Sequence, residues 1–386
     1  MEEKRVKKIL TLGAGFGGLE TATGLGAVMK EGYEITLIDK NEAFFIGFSK
    51  IDVLFGRRTQ EQVQYRYENL RVEGVRFVQA TVTSIDTDAK SVATTQGTFA
   101  YDYLVVALGA SLDNHAIPGF VESGAHEFYS MEGAVRLGPI VEAFSRGTLL
   151  MGIFRLPYKC PPAPYEVAYQ LHDLFVRKGN RDAIRMKMVI PAPRALDNPK
   201  VSEALETLLA ERNIELIPAT PITAIDATAR KAVSAGIALD YDLFIGIPVH
   251  APPQVIKSSK LGQMGFIQVS PTNLETAVPD VYAVGDVSTI PVGDKIVPKA
   301  GAFAEDAART VVSDILRKEG LTGALVKFNA AGACYFELGG GQVAKVNANY
   351  LGGEKPQVSL EGPSSELRAD RLGFESSRRD RWFKSS

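Results

Sequence analysis

The segment "RLPYKCPPAPYEVAYQ", residues 155–170, places a cysteine and a glutamate on either side of a proline-rich turn. Its three central prolines hold the chain extended and allow a helix to begin near Pro164. Cys160 would then lie just before the positive end of that helix, which favours a thiolate. Glu166 would fall in the first turn, within reach to move protons. The plainer alternatives are a buried free thiol and an acid that merely suits the helix dipole.

A second chemical signature lies near the N-terminus, in "KKILTLGAGFGGLE". Gly13, Gly15 and Gly18 follow a short apolar strand with GxGxxG spacing. In this motif the first glycine allows a tight turn, the second lets the backbone approach a pyrophosphate, and the third lets the helix pack on the strand. Asp39 ends the next strand, about 20 residues on, where an acid binds ribose hydroxyls. Lys40 beside it is a further candidate. This βαβ arrangement predicts a dinucleotide site.

Other segments favour FAD as that dinucleotide. The stretch "VYAVGDVST" resembles the signature by which flavoproteins with two dinucleotide-binding domains hold ribitol and phosphate, with Gly285 and Asp286 at the site. "YLVVALGAS" resembles the turn that closes their FAD domain and supplies Gly109. Val82 lies where those proteins offer backbone to the adenine. The resemblance thus implies FAD.

The chain contains a loose internal repeat, because residues 99–110 and residues 237–249 have a similar sequence pattern. Buried strands and a helix lie between the two copies, as in a second α/β unit. We therefore predict an α/β fold with two Rossmann-like doubly wound domains and a small C-terminal α+β domain. The predicted units are an FAD domain at 1–115 and 250–320, a second dinucleotide-binding-like domain at 116–249, and a C-terminal interface domain at 321–386.

The second unit lacks the glycine loop that would bind NAD(P)H. The segment after its first strand, residues 149–154, is "RLPYKCPPAP". Without glycine the tight turn is not available, and prolines have no N–H to offer phosphate. A nicotinamide site in that place is therefore not expected, and the electrons would come from another donor.

With these features the chain resembles the sulfide-oxidising flavoproteins, namely the flavoprotein subunit of flavocytochrome c sulfide dehydrogenase and the sulfide:quinone oxidoreductases. The likeness is carried by "YKCPPAPYE", "VPKAGAFAEDAA" and "GACYFEL". It implies that Cys160 and Cys334 form a redox-active disulfide beside the flavin. It also implies that Glu166 is an acid–base group and that Lys299 lies at the edge of the isoalloxazine ring.

Two departures from that family modify the expectation. The cysteine that links covalently to flavin in flavocytochrome subunits corresponds to Gly47, so FAD should be bound non-covalently. The quinone enzymes generally carry a third cysteine and an apolar tail, whereas this chain has two cysteines and a polar tail. The tail residues that could anchor it to a membrane are Leu372, Phe374, Trp382 and Phe383. A solvated terminus is the alternative for that tail.

The charge and composition of the chain limit the kinds of binding partner that we expect. A net charge of −2 gives no reason to expect nucleic acid, and the four scattered histidines predict no metal site. No apolar run is long enough to span a bilayer, and the N-terminal segment resembles a first strand more than a signal peptide. A cytoplasmic protein is therefore expected, or a periplasmic one if the chain is a processed form. A homodimer is possible on this sequence.

The expected activity is oxidation of sulfide, or of a related thiol or persulfide, to sulfur or polysulfide, with electrons passing through FAD to a cytochrome-type acceptor. Sulfide suits a disulfide because it is a soft nucleophile, and the exchange gives a persulfide and a thiolate. A quinone acceptor is the first alternative. An NAD(P)H-dependent disulfide reductase and a non-enzymatic flavin-binding protein are the others.

Overall fold

Two parallel β-sheets form the frame of the molecule, which a computed structural model describes over residues 5–384. Helices cover both sheets, and the helices Phe16–Val28 and Gly301–Lys318 pack on each other. Within the described range the α-helices are, in chain order, α1 Phe16–Val28, α2 Ser49–Leu54, α3 Gln60–Val63, α4 Met131–Ala143, α5 Ala163–Arg177, α6 Pro199–Glu211, α7 Gln254–Lys257, α8 Gly301–Lys318 and α9 Leu367–Trp382.

The first sheet has five strands, all parallel, and its middle strand leads into the glycine turn. That strand ends in a run of buried residues, as expected of a strand covered on both faces. In spatial order the strands are Val281–Ala283, Tyr103–Val106, Lys7–Leu12, Tyr33–Asp39 and Val75–Gln79. The edge strand from residues 281–283 thus joins a sheet otherwise built from the first third of the chain.

The second sheet has four parallel strands and lies between those two parts of the sequence. In spatial order they are Ile214–Ile217, Ile184–Val189, Gly147–Ile153 and Leu243–Ile247. Parallel strands require crossovers; α5 and α6 provide two of them, and three short antiparallel strands between residues 224 and 240 provide the third. The predicted fold class, with two Rossmann-type units, is confirmed. The predicted domain boundaries stay predictions.

The loose repeat corresponds to two three-stranded antiparallel meanders, each of which leads directly into a strand of a parallel sheet. The first meander is Val82–Asp86, Ser91–Thr94 and Gly97–Ala100, and the second is Ala224–Asp226, Lys231–Ser234 and Ile237–Asp240. Short strand pairs complete this part of the fold: Ala43–Phe45 with Gln64–Arg66, Ser111–Asp113 with Val249–Ala251, Ile267–Gln268 with Ser288–Thr289, and Pro291–Val292 with Lys295–Ile296.

The C-terminal part is an antiparallel sheet of Ala331–Glu337, Val343–Asn349 and Gln357–Ser364, followed by α9. The polar tail is therefore a packed helix. Trp382 is fully buried, with its ring centroid 5.9 Å from Phe16 and 5.7 Å from Phe44. Arg381 forms a 2.7 Å ion pair with buried Glu20 of α1. Aromatic packing and paired charges thus fasten α9 to the first unit. Among the described residues, no helix has the length and apolar character needed to cross a bilayer.

Candidate functional site

The two cysteines, 174 positions apart in the sequence, line one cavity of about 230 Å³. Cys160 lies in the segment before α5, and Cys334 lies in the first strand of the C-terminal sheet. Both are free thiols in this structure. An ionised Cys334 would raise the pKa of the Cys160 thiol, so each side chain lies within the range of the other's charge. The fold therefore brings together the two residues that the resemblance pairs.

The backbone of Cys160 has a constrained geometry. Its φ of 51° lies in the left-handed region, which is uncommon for a residue with a Cβ. Its N–H donates to the carbonyl of Lys299 at 2.8 Å, and its own carbonyl accepts from the N–H of Ala163 at 2.9 Å. These two bonds tie the cysteine to the start of α8 on one side and of α5 on the other. The prolines thus present Cys160 from a rigid turn.

The surroundings of both thiols favour the protonated form. Burial raises the pKa of Cys160 well above the usual range, and the neighbouring Cys334 raises it further. Burial raises the pKa of Cys334 to about 11, with a contribution from the charge of Glu166. The expectation that the helix dipole favours a thiolate at Cys160 was wrong, because loss of solvent outweighs the dipole at this position.

Glu166 lies behind the cysteines, since the described residues that line the cavity do not include it. It is 1% exposed, and its Oε1 accepts from the N–H of Glu337 at 3.1 Å. This bond joins α5 to the strand that carries Cys334. Burial raises the pKa of Glu166 to about 8, while the positive charge of Arg371 opposes that rise. The carboxyl is thus positioned between the two elements that carry the thiols.

The glycine turn is shaped as a dinucleotide cradle. A Cβ on Gly13 would lie 2.3 Å from the carbonyl oxygen of Ala107, and one on Gly18 would lie 1.7 Å from the carbonyl oxygen of Gly13. A Cβ on Gly15 would meet nothing within 4 Å, since that residue faces the cavity. Asp39 Oδ2 accepts from the N–H of Ala14 at 2.7 Å. These contacts fit a group whose phosphates lie at the start of α1.

Gly18→Ala is expected to release the bound dinucleotide, because the new methyl group must displace the backbone of the turn. Bound flavin per chain, read from the absorption spectrum of the purified protein, measures this. Gly24→Ala is the matched control in the same helix, since its Cβ would meet only side-chain atoms of Val312, at 3.0 Å. Full flavin content in Gly18→Ala would contradict this assignment of the turn.

The other proposed cofactor residues divide into two groups. Gly109, Gly285, Asp286 and Lys299 line the cavity together with both cysteines. Lys40 is exposed beside Asp39, and Val82 begins the first meander, away from the cavity. Cofactor contacts for all of them stay predictions.

Lys299 uses its ammonium group to hold the neighbouring turn. Nζ donates to the carbonyls of Asp286 at 2.6 Å and Ser288 at 3.0 Å, and it lies 3.7 Å from the ring centre of Phe266. Burial lowers the pKa of Lys299 to about 8. The side chain of Lys299 therefore binds the Asp286 turn, while the backbone carbonyl of Lys299 binds the N–H of Cys160.

Two lysines of the cavity were missed by sequence reasoning. Lys50 of α2 lines the cavity, and its Nζ donates to the carbonyl of Tyr129 at 2.7 Å. Burial lowers its pKa to about 7, with a further lowering by the charge of Lys159, which also lines the cavity. The signal for Lys159 was its place directly before Cys160, where a cation stabilises a thiolate. Lys50 gave no such signal.

A second, apolar cavity of about 340 Å³ shares Cys334, Lys299 and Ala300 with the first. It lies at the carboxyl end of the second parallel sheet, where open α/β sheets bind ligands. Residues on its wall include Pro157, Tyr158, Arg194, Ile296, Val346 and Tyr350. Cys334 is therefore accessible from two sides.

Known proteins share this architecture. Residues 7–138 match the family described as pyridine nucleotide-disulphide oxidoreductase. The chain is 30% identical over 342 residues to a type II NADH:quinone oxidoreductase of Staphylococcus aureus, covering 81% of this chain and 82% of that protein.

Two solved structures share the fold. The sulfide:quinone oxidoreductase of Aquifex aeolicus superposes with a TM-score of 0.84 at 22% identity, covering 96% of this chain and 90% of that one. NDH2 of Plasmodium falciparum, solved with NADH, superposes with a TM-score of 0.73 at 14% identity, covering 96% and 95%. At these identities the likeness is one of fold.

Proposed function

The chain belongs to the pyridine nucleotide-disulphide oxidoreductase family, and from this premise we propose that it is an FAD-dependent enzyme that oxidises sulfide or a related thiol. One observation carries the proposal: Cys160 and Cys334 both line the cavity that the glycine turn and Asp286 also line. A cysteine pair at that place is suited to thiol–disulfide exchange. We further propose that FAD is held non-covalently, since Gly47 lines the cavity where the resemblance expects a linking cysteine.

The cysteine pair accounts for the chemistry in two exchanges. Hydrosulfide attacks the disulfide and gives a cysteine persulfide and one thiolate. A second hydrosulfide then takes the outer sulfur, so that two HS⁻ become HSS⁻ with release of one proton and two electrons. A bound flavin supplies the two-electron acceptor when the cysteines close again to the disulfide. Lys50 and Lys159 favour an anionic substrate in the cavity.

A second candidate is NADH:quinone oxidoreduction, which the name of the 30% identical relative favours. The start of α5 argues against it. Pro161, Pro162 and Pro164 have no N–H, and the N–H of Ala163 is already bonded to the carbonyl of Cys160. That helix end therefore has few donors left for a pyrophosphate. We propose quinone as the electron acceptor, because the names of the Staphylococcus aureus relative and of the Aquifex aeolicus protein give quinone as theirs. Cytochrome c is the alternative.

Stopped-flow reduction of the FAD-loaded protein under anaerobic conditions tests the proposal. Bleaching of the flavin by sulfide, with little bleaching by NADH, is the expected result. Rapid bleaching by NADH and none by sulfide would favour the second candidate. Reoxidation by a short-chain quinone, compared with a soluble cytochrome c, then identifies the acceptor.

A further inference from the structure

A charged groove of about 1030 Å³ lies between α9 and the segment that follows α2. Most of its wall is ionisable and includes Asp52, Arg57, Arg58, Glu337, Arg371 and Glu375. Most of these groups pair with each other near the surface: Arg58, for example, binds Glu375 at 2.8 Å. Two residues of this groove, Arg371 and Glu337, also contact Glu166, so a network of ion pairs connects that buried carboxyl with the groove.

Arg371 extends from this groove into the interior and is 2% exposed. Its Nη1 lies 3.2 Å from Oε1 of Glu337, and its Nη2 lies 3.9 Å from both Asp52 Oδ1 and Glu166 Oε1. Its guanidinium lies 4.3 Å from the ring centre of Phe48. Nε and Nη2 find no hydrogen-bond partner among the described residues. The buried cation is therefore held mainly by the three carboxylates, one of which is Glu166.

The remaining charged neighbours of Glu166 come from the same groove and from the thiol pair. Arg57 donates to Oε1 of Gln170 at 2.5 Å, and Gln170 donates to Glu166 at 3.4 Å. Arg57 also pairs with Asp52 at 2.7 Å and with Glu337 at 3.3 Å. On the other side, the charge of Glu166 raises the pKa of the thiols. Glu166 thus lies between a chain of ion pairs that ends at the groove and the cysteine pair.

We propose that Arg371 is a positioning residue that holds the Glu166 carboxyl between the cysteine pair and the groove, so that this carboxyl exchanges protons between them. The inference rests on the proposed function. When hydrosulfide opens the disulfide, the thiolate takes a proton from the Glu166 carboxylic acid and leaves a carboxylate. When the two thiols close to the disulfide they give up two protons: one restores the Glu166 carboxylic acid, and the other, which is the proton released in the overall oxidation, leaves through the groove.

Two substitutions test this with shifts of opposite sign. Arg371→Met removes the cation that favours the carboxylate, so the pKa of Glu166 should rise by about one unit or more. Glu337→Gln removes a like charge and leaves Arg371 with one fewer carboxylate, so the pKa of Glu166 should fall. Arg371→Lys keeps the charge and should restore a midpoint near that of the original protein. Arg368→Met, an exposed change one turn earlier in the same groove, should shift nothing.

The measurement is an infrared pH titration of the FAD-loaded protein, following the carboxylic acid band that disappears in Glu166→Gln. The pH midpoint of the rate of sulfide-dependent flavin reduction should shift in the same direction as the infrared midpoint. Equal midpoints in Arg371→Met and the original protein, or shifts of the same sign in Arg371→Met and Glu337→Gln, would overturn the inference. If Arg371→Met does not fold, the midpoints of Glu337→Gln and Arg371→Lys still test the inference. Absence of sulfide-dependent reduction in the original protein would instead refute the proposed function, because the infrared midpoints do not depend on that activity.

Discussion

Replacing Cys160 or Cys334 with serine is expected to lower the rate of flavin reduction by sulfide on the order of 10³-fold or more, while FAD stays bound. Serine cannot form the disulfide that hydrosulfide attacks, and the remaining thiol has no partner in the cavity. The two single variants and the double variant should be similarly inactive, because the pair acts as a unit. Stopped-flow absorbance of the flavin measures the rate.

Ala331→Ser is the matched control for these variants. It adds a hydroxyl group to the strand that carries Cys334, at a residue outside the lining of both cavities. This control should reduce its flavin at the original rate. Rapid reduction by sulfide in either cysteine variant would refute the disulfide mechanism.

Glu166→Gln is expected to change how stability depends on pH. Burial raises the pKa of Glu166 from its ordinary value of 4.5 to about 8, so the folded protein holds a proton that the unfolded chain has lost between those values. In that window the free energy of unfolding of the original protein falls as pH rises, by up to about 1.4 kcal/mol per pH unit from this group. Glutamine has no proton to lose. The variant should therefore gain about 3 kcal/mol relative to the original protein between pH 5.5 and pH 7.5.

Urea unfolding of both proteins across that pH range, with FAD in the same excess, gives the two free-energy curves. Glu203→Gln, an exposed change in α6, should leave the slope unaltered. Parallel curves for Glu166→Gln and the original protein would show that Glu166 is ionised in the folded state at neutral pH.

The glycine turn and the helices were predictable because their signals are local. Gly13 and Gly18 allow contacts that a methyl group would block, and Asp39 ends the adjacent strand, so spacing alone located the turn. The helix after the prolines was expected near Pro164 and begins at Ala163. Such features depend on residues a few positions apart, whose geometry is set by covalent structure and steric exclusion.

The role of the C-terminal tail was not predictable in the same way. Its sequence is rich in arginine and carries few apolar residues, so it could pass for a solvated terminus. In the structure α9 buries Trp382 and Arg371, and Phe374 lines the cavity. Partners of these side chains lie hundreds of positions earlier: Phe44 for Trp382 and Asp52 for Arg371, for example. This helix is stabilised by packing against distant elements and not by a periodic pattern of apolar residues in its own sequence.

By itself, then, the sequence determined the two Rossmann-type units, the glycine turn after the first strand and the absence of a second glycine turn before Cys160. The tertiary structure decided that Cys334 faces the same cavity as Cys160, that Glu166 lies behind the pair, and that Arg371 reaches it from the last helix. It also decided the protonation of the thiols, against the expectation from the helix dipole. The reason is that solvent exclusion depends on which elements pack together, and the energy of a charge depends on what surrounds it.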